Sequence, residues 1–96
     1  MSHSVEWDPV KAAQNLQKHG VSFEEAETVL DDPLLQTYPD EAHSGEEERL
    51  ISIGVSSRGR ILVVIHTERG DRLRIISCRR ATASERRDYA EGDDRN

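Results

Sequence analysis

A chain of 96 residues with 34% apolar and 33% charged side chains, and only one Trp, two Tyr and one Phe, has material for one domain with a thin aliphatic core and no second one. Its formal net charge of −6 argues against a polyanion partner for the protein as a whole, its single cysteine excludes an internal disulfide, and no apolar run approaches the roughly 18 residues of a bilayer span. The opening MSHSVEWDP lacks the apolar stretch of a secretory signal, so a cytoplasmic protein with no membrane association is expected.

Residues 5–7 form a short apolar segment, expected as an N-terminal strand. It ends at Asp8-Pro9, a capping side chain followed by proline at the first helical position, where the missing N–H costs nothing. The first helix that begins there has Val10, Ala13 and Leu16, with Ala12 beside them, as its expected apolar side. Lys11, Asn15 and Lys18 recur on the opposite stripe. Gly20 supplies a left-handed C-cap. Ser22 and Glu25 have the spacing of a capping box for a second helix, with Val21 able to staple against Ala26. Phe23, Ala26, Val29 and Leu30 make its buried face, and Asp32-Pro33 ends it, because a residue before proline is pushed out of the α region.

Residues 34–38 read as a first long strand and 39–48, PDEAHSGEEE, as a mobile acidic loop. Strands follow at 49–55, 61–66 and 72–78, separated by turns at 56–59 and at Gly70-Asp71, and these short connections favour an antiparallel meander. The run ILVVI suits a central strand covered on both faces. Thr82 and Glu85 form a second capping box, opening a short, weakly docked helix through Tyr89 or Ala90, with 92–96 as a disordered tail. The expected fold is a single α+β domain ordered over about residues 5–90. It has two N-terminal helices, a small antiparallel sheet of about four long strands plus the short N-terminal strand, and a short C-terminal helix.

Charge is unevenly spread along this order. Residues 1–57 carry 3 basic against 12 acidic side chains, whereas 58–80 carry 7 against 2. With a Debye length of about 8 Å at physiological salt, such a patch acts on a phosphate almost independently of distant acids. Arg74, Arg79 and Arg80 form a cationic rim on the last strand and its exit, and the fixed fork of arginine matches phosphate oxygens. His3, His19, His43 and His66 show no short ligand spacing and Cys78 has no partner cysteine, so neither a metal site nor another cofactor is expected.

Several ordered groups carry a family resemblance over residues 5–90. They are Trp7-Asp8-Pro9 with Lys11 and Asn15, Lys18-His19-Gly20, Phe23 with Glu24-Glu25-Ala26, Asp32-Pro33 and Glu48-Arg49. The central hairpin follows, then Arg74-Ile75-Ile76-Ser77 leading to Arg79, Ala81-Thr82, Glu85, Arg86 and Tyr89. In these the chain resembles the BrnT toxins, the ribonuclease halves of bacterial type II toxin–antitoxin pairs. The resemblance implies a RelE-like fold, inhibition of translation by cleavage of RNA, and a hetero-oligomer with a BrnA-like ribbon-helix-helix antitoxin that represses the shared operon. The acidity of residues 41–48, and Cys78 where the family often carries a small residue, are departures that bear on substrate access rather than class.

Metal-free RNA cleavage needs a base near the 2′-hydroxyl, cations against the developing phosphorane and an acid for the leaving 5′-oxygen. Arg74, Arg79 and Arg80 are the expected phosphate-holding residues, with Arg79 preferred from the family pattern. His19, His66, Glu85 and Tyr89 form the expected acid–base pool, and Lys11, Lys18 and Arg60 are candidate RNA contacts. Each has a structural alternative: His19 as a helix cap, His66 as a satisfied strand histidine, Glu85 as the partner of Thr82, Tyr89 as filling against the sheet, and the lysines as a solvated face. A second reading of the whole chain is a non-catalytic binding module, or a degenerate toxin whose role is complex formation with the antitoxin.

Overall fold

The local signals around the first helix act as their chemistry dictates. In the computed structural model, which describes residues 4–43, 45 and 47–94, Asp8 accepts a hydrogen bond from the Val10 N–H at 2.9 Å and α1 runs over Pro9–His19. Gly20, at φ 71°, ends the helix by donating to the Leu16 carbonyl at 2.9 Å. Ser22 caps α2 (Phe23–Val29) through the Glu25 N–H at 3.0 Å, and Phe23, Ala26 and Val29 are fully buried.

Five strands form one sheet: β1 (Ser4–Glu6), β2 (Gln36–Pro39), β3 (Leu50–Val55), β4 (Ile61–Arg69) and β5 (Arg72–Arg80), in the order β1-β5-β4-β3-β2. The meander β2 to β5 is antiparallel, and β1 joins it in parallel beside Arg72, Leu73 and Arg74. β4 is the central strand and alternates between two cores. Leu62 and Val64 pack with Val21, Phe23, Ala26, Val29, Leu73, Ile75 and Cys78 beneath α1 and α2, while Val63 packs with Ile53, Ala81 and Tyr89 on the other face. Three expected boundaries move. β4 extends to Arg69 because the hairpin pairs to its tip, β5 extends to Arg80 because Arg79 and Arg80 pair with Val63 and Leu62, and β2 starts only at Gln36. Its delayed start follows from Asp32, whose carboxylate accepts the Leu34 N–H at 2.8 Å and whose carbonyl accepts the Leu35 N–H at 3.0 Å, holding both residues in a turn.

The face that α1 buries is turned from the one expected, although Ala12 packs against the core and Lys11 and Lys18 are exposed as read. Val10 and Leu16 are 64% and 52% exposed, and Asn15, assigned to the solvent stripe, is buried at 7%. The cause is the edge of β5. Beyond Arg74 that edge has no strand neighbour among the described residues. The Asn15 amide takes the strand's place, donating to the Cys78 carbonyl at 2.8 Å and accepting the Cys78 N–H at 3.1 Å, with a further bond to the Val21 carbonyl at 3.0 Å. Satisfying a buried backbone pair outweighs the apolar area that Val10 and Leu16 would cover. Cys78 itself is fully buried, and burial pushes its thiol up to about 12, which leaves it protonated and unreactive near neutrality.

The last helix, α3 (Ala83–Asp94), is longer than expected, and Gly92 to Asp94, assigned to a disordered tail, belong to it. Arg95 and Asn96 lie outside the described residues. Thr82 and Glu85 cap it reciprocally, the Thr82 N–H donating to Glu85 Oε1 at 2.8 Å and the Glu85 N–H to Thr82 Oγ1 at 3.1 Å. A Cβ at Gly92 would meet the Gln36 amide, the far end of a flexible side chain that would have to move aside. The same Gln36 side chain donates to the Tyr89 carbonyl at 3.1 Å, and the Tyr89 hydroxyl donates to Asp32 Oδ2 at 2.5 Å.

Asp32 thus joins the α2 exit, β3 and α3, since its Oδ2 also accepts the Val55 N–H at 2.8 Å. Burial acts to raise its carboxyl, but the bonds from Tyr89, Val55 and Leu34 together hold it below the ordinary value. A depressed carboxyl stabilises the fold above its unfolded value of about 4 and loses that contribution as pH falls through the folded one. Tyr89→Phe is therefore expected to cost about 2 kcal/mol near neutrality, the worth of a hydrogen bond to a charged group, and progressively less in acid. Urea denaturation at pH 7 and pH 3 checks this. Equal stability of the two proteins at pH 7 would mean that the bond from Tyr89 to Asp32 adds nothing to the docking of α3.

Candidate active site

One irregularity of β5 decides which arginines share a face. Ser77 pairs with Ile65 and Ile75 with His66, so Ile76 is an extra residue, a β-bulge. On either side of it, Arg74, Ser77 and Arg79 register with Thr67, Ile65 and Val63, and all three therefore project to the α3 side of the sheet. Arg80 registers with Leu62 and is exposed on the opposite side.

On the α3 side a cleft of about 350 Å³ opens between the turn after β2 and the end of β5. Ile51 and Ile65 form part of its lining, Arg49 and Arg79 bring cations, Ser77 and the bulge residue Ile76 lie along β5, and Asp40 and His43 line it from the turn. A 3-10 turn over Glu41–His43 shapes that border, and His43 Nδ1 lies 3.1 and 3.2 Å from the two carboxylate oxygens of Asp40. The hairpin closes by the Asp40 N–H donating to the Arg49 carbonyl at 2.9 Å.

Arg79 does not stand alone. Its Nη1 and Nη2 donate to the two carboxylate oxygens of Glu85 at 2.8 and 2.9 Å, a bidentate fork, and Nη1 also reaches the Arg80 carbonyl at 3.3 Å. The Arg79 guanidinium holds the Glu85 carboxyl down at about 2, against burial that would raise it and with help from the Thr82 N–H. Tyr38, on β2 opposite Ile51 and so on the same face, is 43% exposed. Burial pushes its hydroxyl up, reinforced by the Glu85 and Asp88 carboxylates and opposed by Arg79, so the phenol stays protonated well past neutrality.

Of the side chains expected at the site, only Arg79 and Glu85 meet here. Arg74 is on the correct face but beside β1, where it pairs with Glu6 at 3.2 Å. His66 projects to the α1–α2 side, 1% exposed, with Nε2 2.7 Å from Ser52 Oγ, and Ser52 in turn lies 2.8 Å from Thr37 Oγ1. Tyr89 is bound to Asp32. Arg60 grips buried Glu25 on the α2 side, donating through Nε at 2.9 Å and through Nη2. His19, Lys11 and Lys18 line a separate groove beside α1. Tyr38, Asp40, His43, Arg49 and Ser77 were not among the expected site residues. The signal that could have found them is the Asp40-x-x-His43 spacing set in a β2–β3 hairpin, which brings both ends of the acidic loop onto the face of Arg79.

Residues 7–85 match the family model described as the ribonuclease toxin, BrnT, of a type II toxin–antitoxin system. The fold is similar to the crystal structure of the Brucella abortus ribonuclease toxin BrnT, with 28% sequence identity and a TM-score of 0.65, the match covering 84% of this chain and 99% of that one. No curated protein matches the chain.

Proposed function

Because the chain belongs to the BrnT family of ribonuclease toxins of type II toxin–antitoxin systems, whose members act on RNA and pair with an antitoxin, we propose that the cleft around Arg79 is where this toxin cuts RNA. Cutting occurs in the cytoplasm, without a metal, by attack of a 2′-hydroxyl on the neighbouring phosphate. The observation that supports this most is the opening of Arg79 and the Asp40–His43 pair onto one cleft. His43, oriented by Asp40, takes the proton of the 2′-hydroxyl as the 2′-oxygen bonds to phosphorus. Arg79 and Arg49 hold the non-bridging oxygens while charge accumulates on them. The bond from phosphorus to the 5′-oxygen breaks, and the protonated Tyr38 hydroxyl, beside Glu85 and Arg79, supplies that oxygen with its proton. The products are a 2′,3′-cyclic phosphate and a 5′-hydroxyl end. Glu85 acts as a positioning residue. It holds the Nη1 and Nη2 ends of Arg79, which leaves the Nε–H side of the guanidinium for a phosphate.

His43→Ala is expected to lower kcat on a labelled RNA by about a hundredfold with little change in KM, the usual loss when a general base is removed. Wild-type cleavage is expected to persist in excess EDTA, since the arginines fill the charge-stabilising role. An unchanged rate in His43→Ala would remove it from the mechanism. The antitoxin is a BrnA-like ribbon-helix-helix protein in this reading, and an acidic segment of it laid on Arg79 would silence the toxin by occupying the phosphate position. Full exposure of Arg79 in a toxin–antitoxin complex would contradict that interface.

A further inference from the structure

The cleft around Arg79 has a neighbour on the other side of the sheet edge. A groove of about 340 Å³ runs between α1 and β5, lined by Lys11, Gln14, Lys18 and His19 on the helix, and its strand side is made by Ile76 and Ser77. The same two residues line the Arg79 cleft. They form the bulge of β5, so the bulge is a saddle between the two depressions.

Three features make this saddle passable and cationic. First, β1 covers β5 only at Arg72, Leu73 and Arg74, and from Ile75 onward the edge has no strand beside it among the described residues. Second, the Asn15 amide occupies the Cys78 N–H and carbonyl, which removes the template for another strand while leaving the trough above it open. Third, among the described residues neither Lys11 nor Lys18 has an ion-pair partner, whereas Arg60, Arg74 and Arg79 each hold a carboxylate. In a protein of net charge −6, two uncompensated cations in one groove make a local positive potential that attracts an anion. Lys11 and Lys18 lie seven residues apart on the same side of α1, about 10 Å along its axis, a span over which two long flexible side chains can reach phosphates of one extended strand.

We propose that the α1–β5 groove is a second nucleotide-binding position, with Lys11 and Lys18 holding phosphates to one side of the one cut at Arg79. The RNA therefore reaches the cleft as a single strand bent over the open edge of β5. The inference rests on the ribonuclease reading and specifies its substrate. A rigid duplex cannot fold over a sheet edge, and a single strand with unstacked bases can.

The test uses a fluorescein-labelled nine-residue 2′-O-methyl oligouridine, which lacks the attacking hydroxyl and so binds without being cut. Affinity is measured by anisotropy from 50 to 300 mM salt for wild type, for Lys11→Ala/Lys18→Ala and for Arg87→Ala on α3. Each single-strand phosphate neutralised contributes about 0.7 to the slope of log K against log salt, so the double lysine variant is expected to be shallower by about 1.4 and Arg87→Ala to match wild type. An unchanged slope in the lysine variant overturns the proposal, as does an equal loss per charge in Arg87→Ala, which would mean diffuse attraction. Cleavage by the wild-type protein is read separately. Cutting with an unaltered lysine slope removes the groove alone, whereas no cutting of any RNA removes the ribonuclease reading with it.

Discussion

Arg79→Ala is expected to lower kcat/KM for RNA about a hundredfold or more while leaving a folded protein. The magnitude is that of removing one preorganised donor from the position where transition-state charge develops. Arg79 fits the role because Glu85 fixes its guanidinium by two parallel bonds at 2.8 and 2.9 Å, at a strand position between buried Cys78 and its buried cross-strand partner Val63. Arg79→Lys is expected to recover only part of the activity, since a point charge cannot hold Glu85 and a phosphate by separate edges of one planar fork. The structural cost is small, about 1 kcal/mol, because the Arg79 and Glu85 side chains remain 41% and 25% exposed and solvent screens the pair. With the Glu85 carboxyl held at about 2, the pair stabilises the fold above the ordinary carboxylate range and loses that contribution as pH falls towards 2. The stability gap between wild type and Arg79→Ala therefore closes in acid, whereas the activity gap at neutral pH is far larger than any unfolded fraction explains. Denaturation curves and kcat/KM measured on the same preparation separate the two effects. Wild-type kcat/KM in folded Arg79→Ala would overturn the assignment of the site.

The largest effect on stability is expected at Arg60. Glu25 is buried with only 5% of its side chain exposed, and its carboxylate is met by the Ser56 hydroxyl at 2.7 Å, by Arg60 and, more distantly, by Arg58 at 3.7 Å. The hydrogen bond from Arg60 is the main cause that holds this carboxyl below its ordinary value in spite of burial. Removing one partner of a buried pair leaves an uncompensated charge, so Arg60→Ala is expected to cost about 3 kcal/mol, out of a total stability for such a domain of about 5–15 kcal/mol. The contribution of Glu25 is present above its unfolded value and lost as pH falls through its lowered folded value. In Arg60→Ala the carboxyl can neutralise by taking up a proton, so the deficit is expected to be greatest near neutrality and smaller near pH 4. Glu25→Gln added to Arg60→Ala is expected to recover about half of the loss, since a neutral amide still meets Ser56 without a buried charge. Urea denaturation of the three proteins at both pH values measures this, and a deficit below about 0.5 kcal/mol in Arg60→Ala at pH 7 would show the pair to be energetically idle. Its guanidinium is engaged by Glu25 in this way, so Arg60 has a structural role beside the RNA contact expected from its charge.

What the amino-acid order determined by itself lies within three or four residues of chain. Asp8-Pro9, Gly20, Ser22 before Glu25, and Thr82 with Glu85 cap their helices as read, because a cap depends on one side chain, one backbone N–H and local dihedrals. The apolar run of β4 likewise declared a central strand, since no exposed position tolerates such a run. The family was also legible, through groups spread along residues 5–90. The side of α1 that faces the sheet was not legible. It was decided by the bare edge of β5, some sixty residues away in sequence, whose Cys78 backbone groups Asn15 had to satisfy. Arg79 was preferred to Arg80 only through the family pattern; that the two face opposite ways, and that His66 lies across the sheet from Arg79, depends on the parity of strand register, which the single extra residue at Ile76 resets. The cleft joins Asp40 and His43 to Arg79 only through pairing of β2, β3, β4 and β5. Composition and spacing could name an arginine as a candidate for the phosphate, but which side chains share its cleft was set by the packing of the sheet.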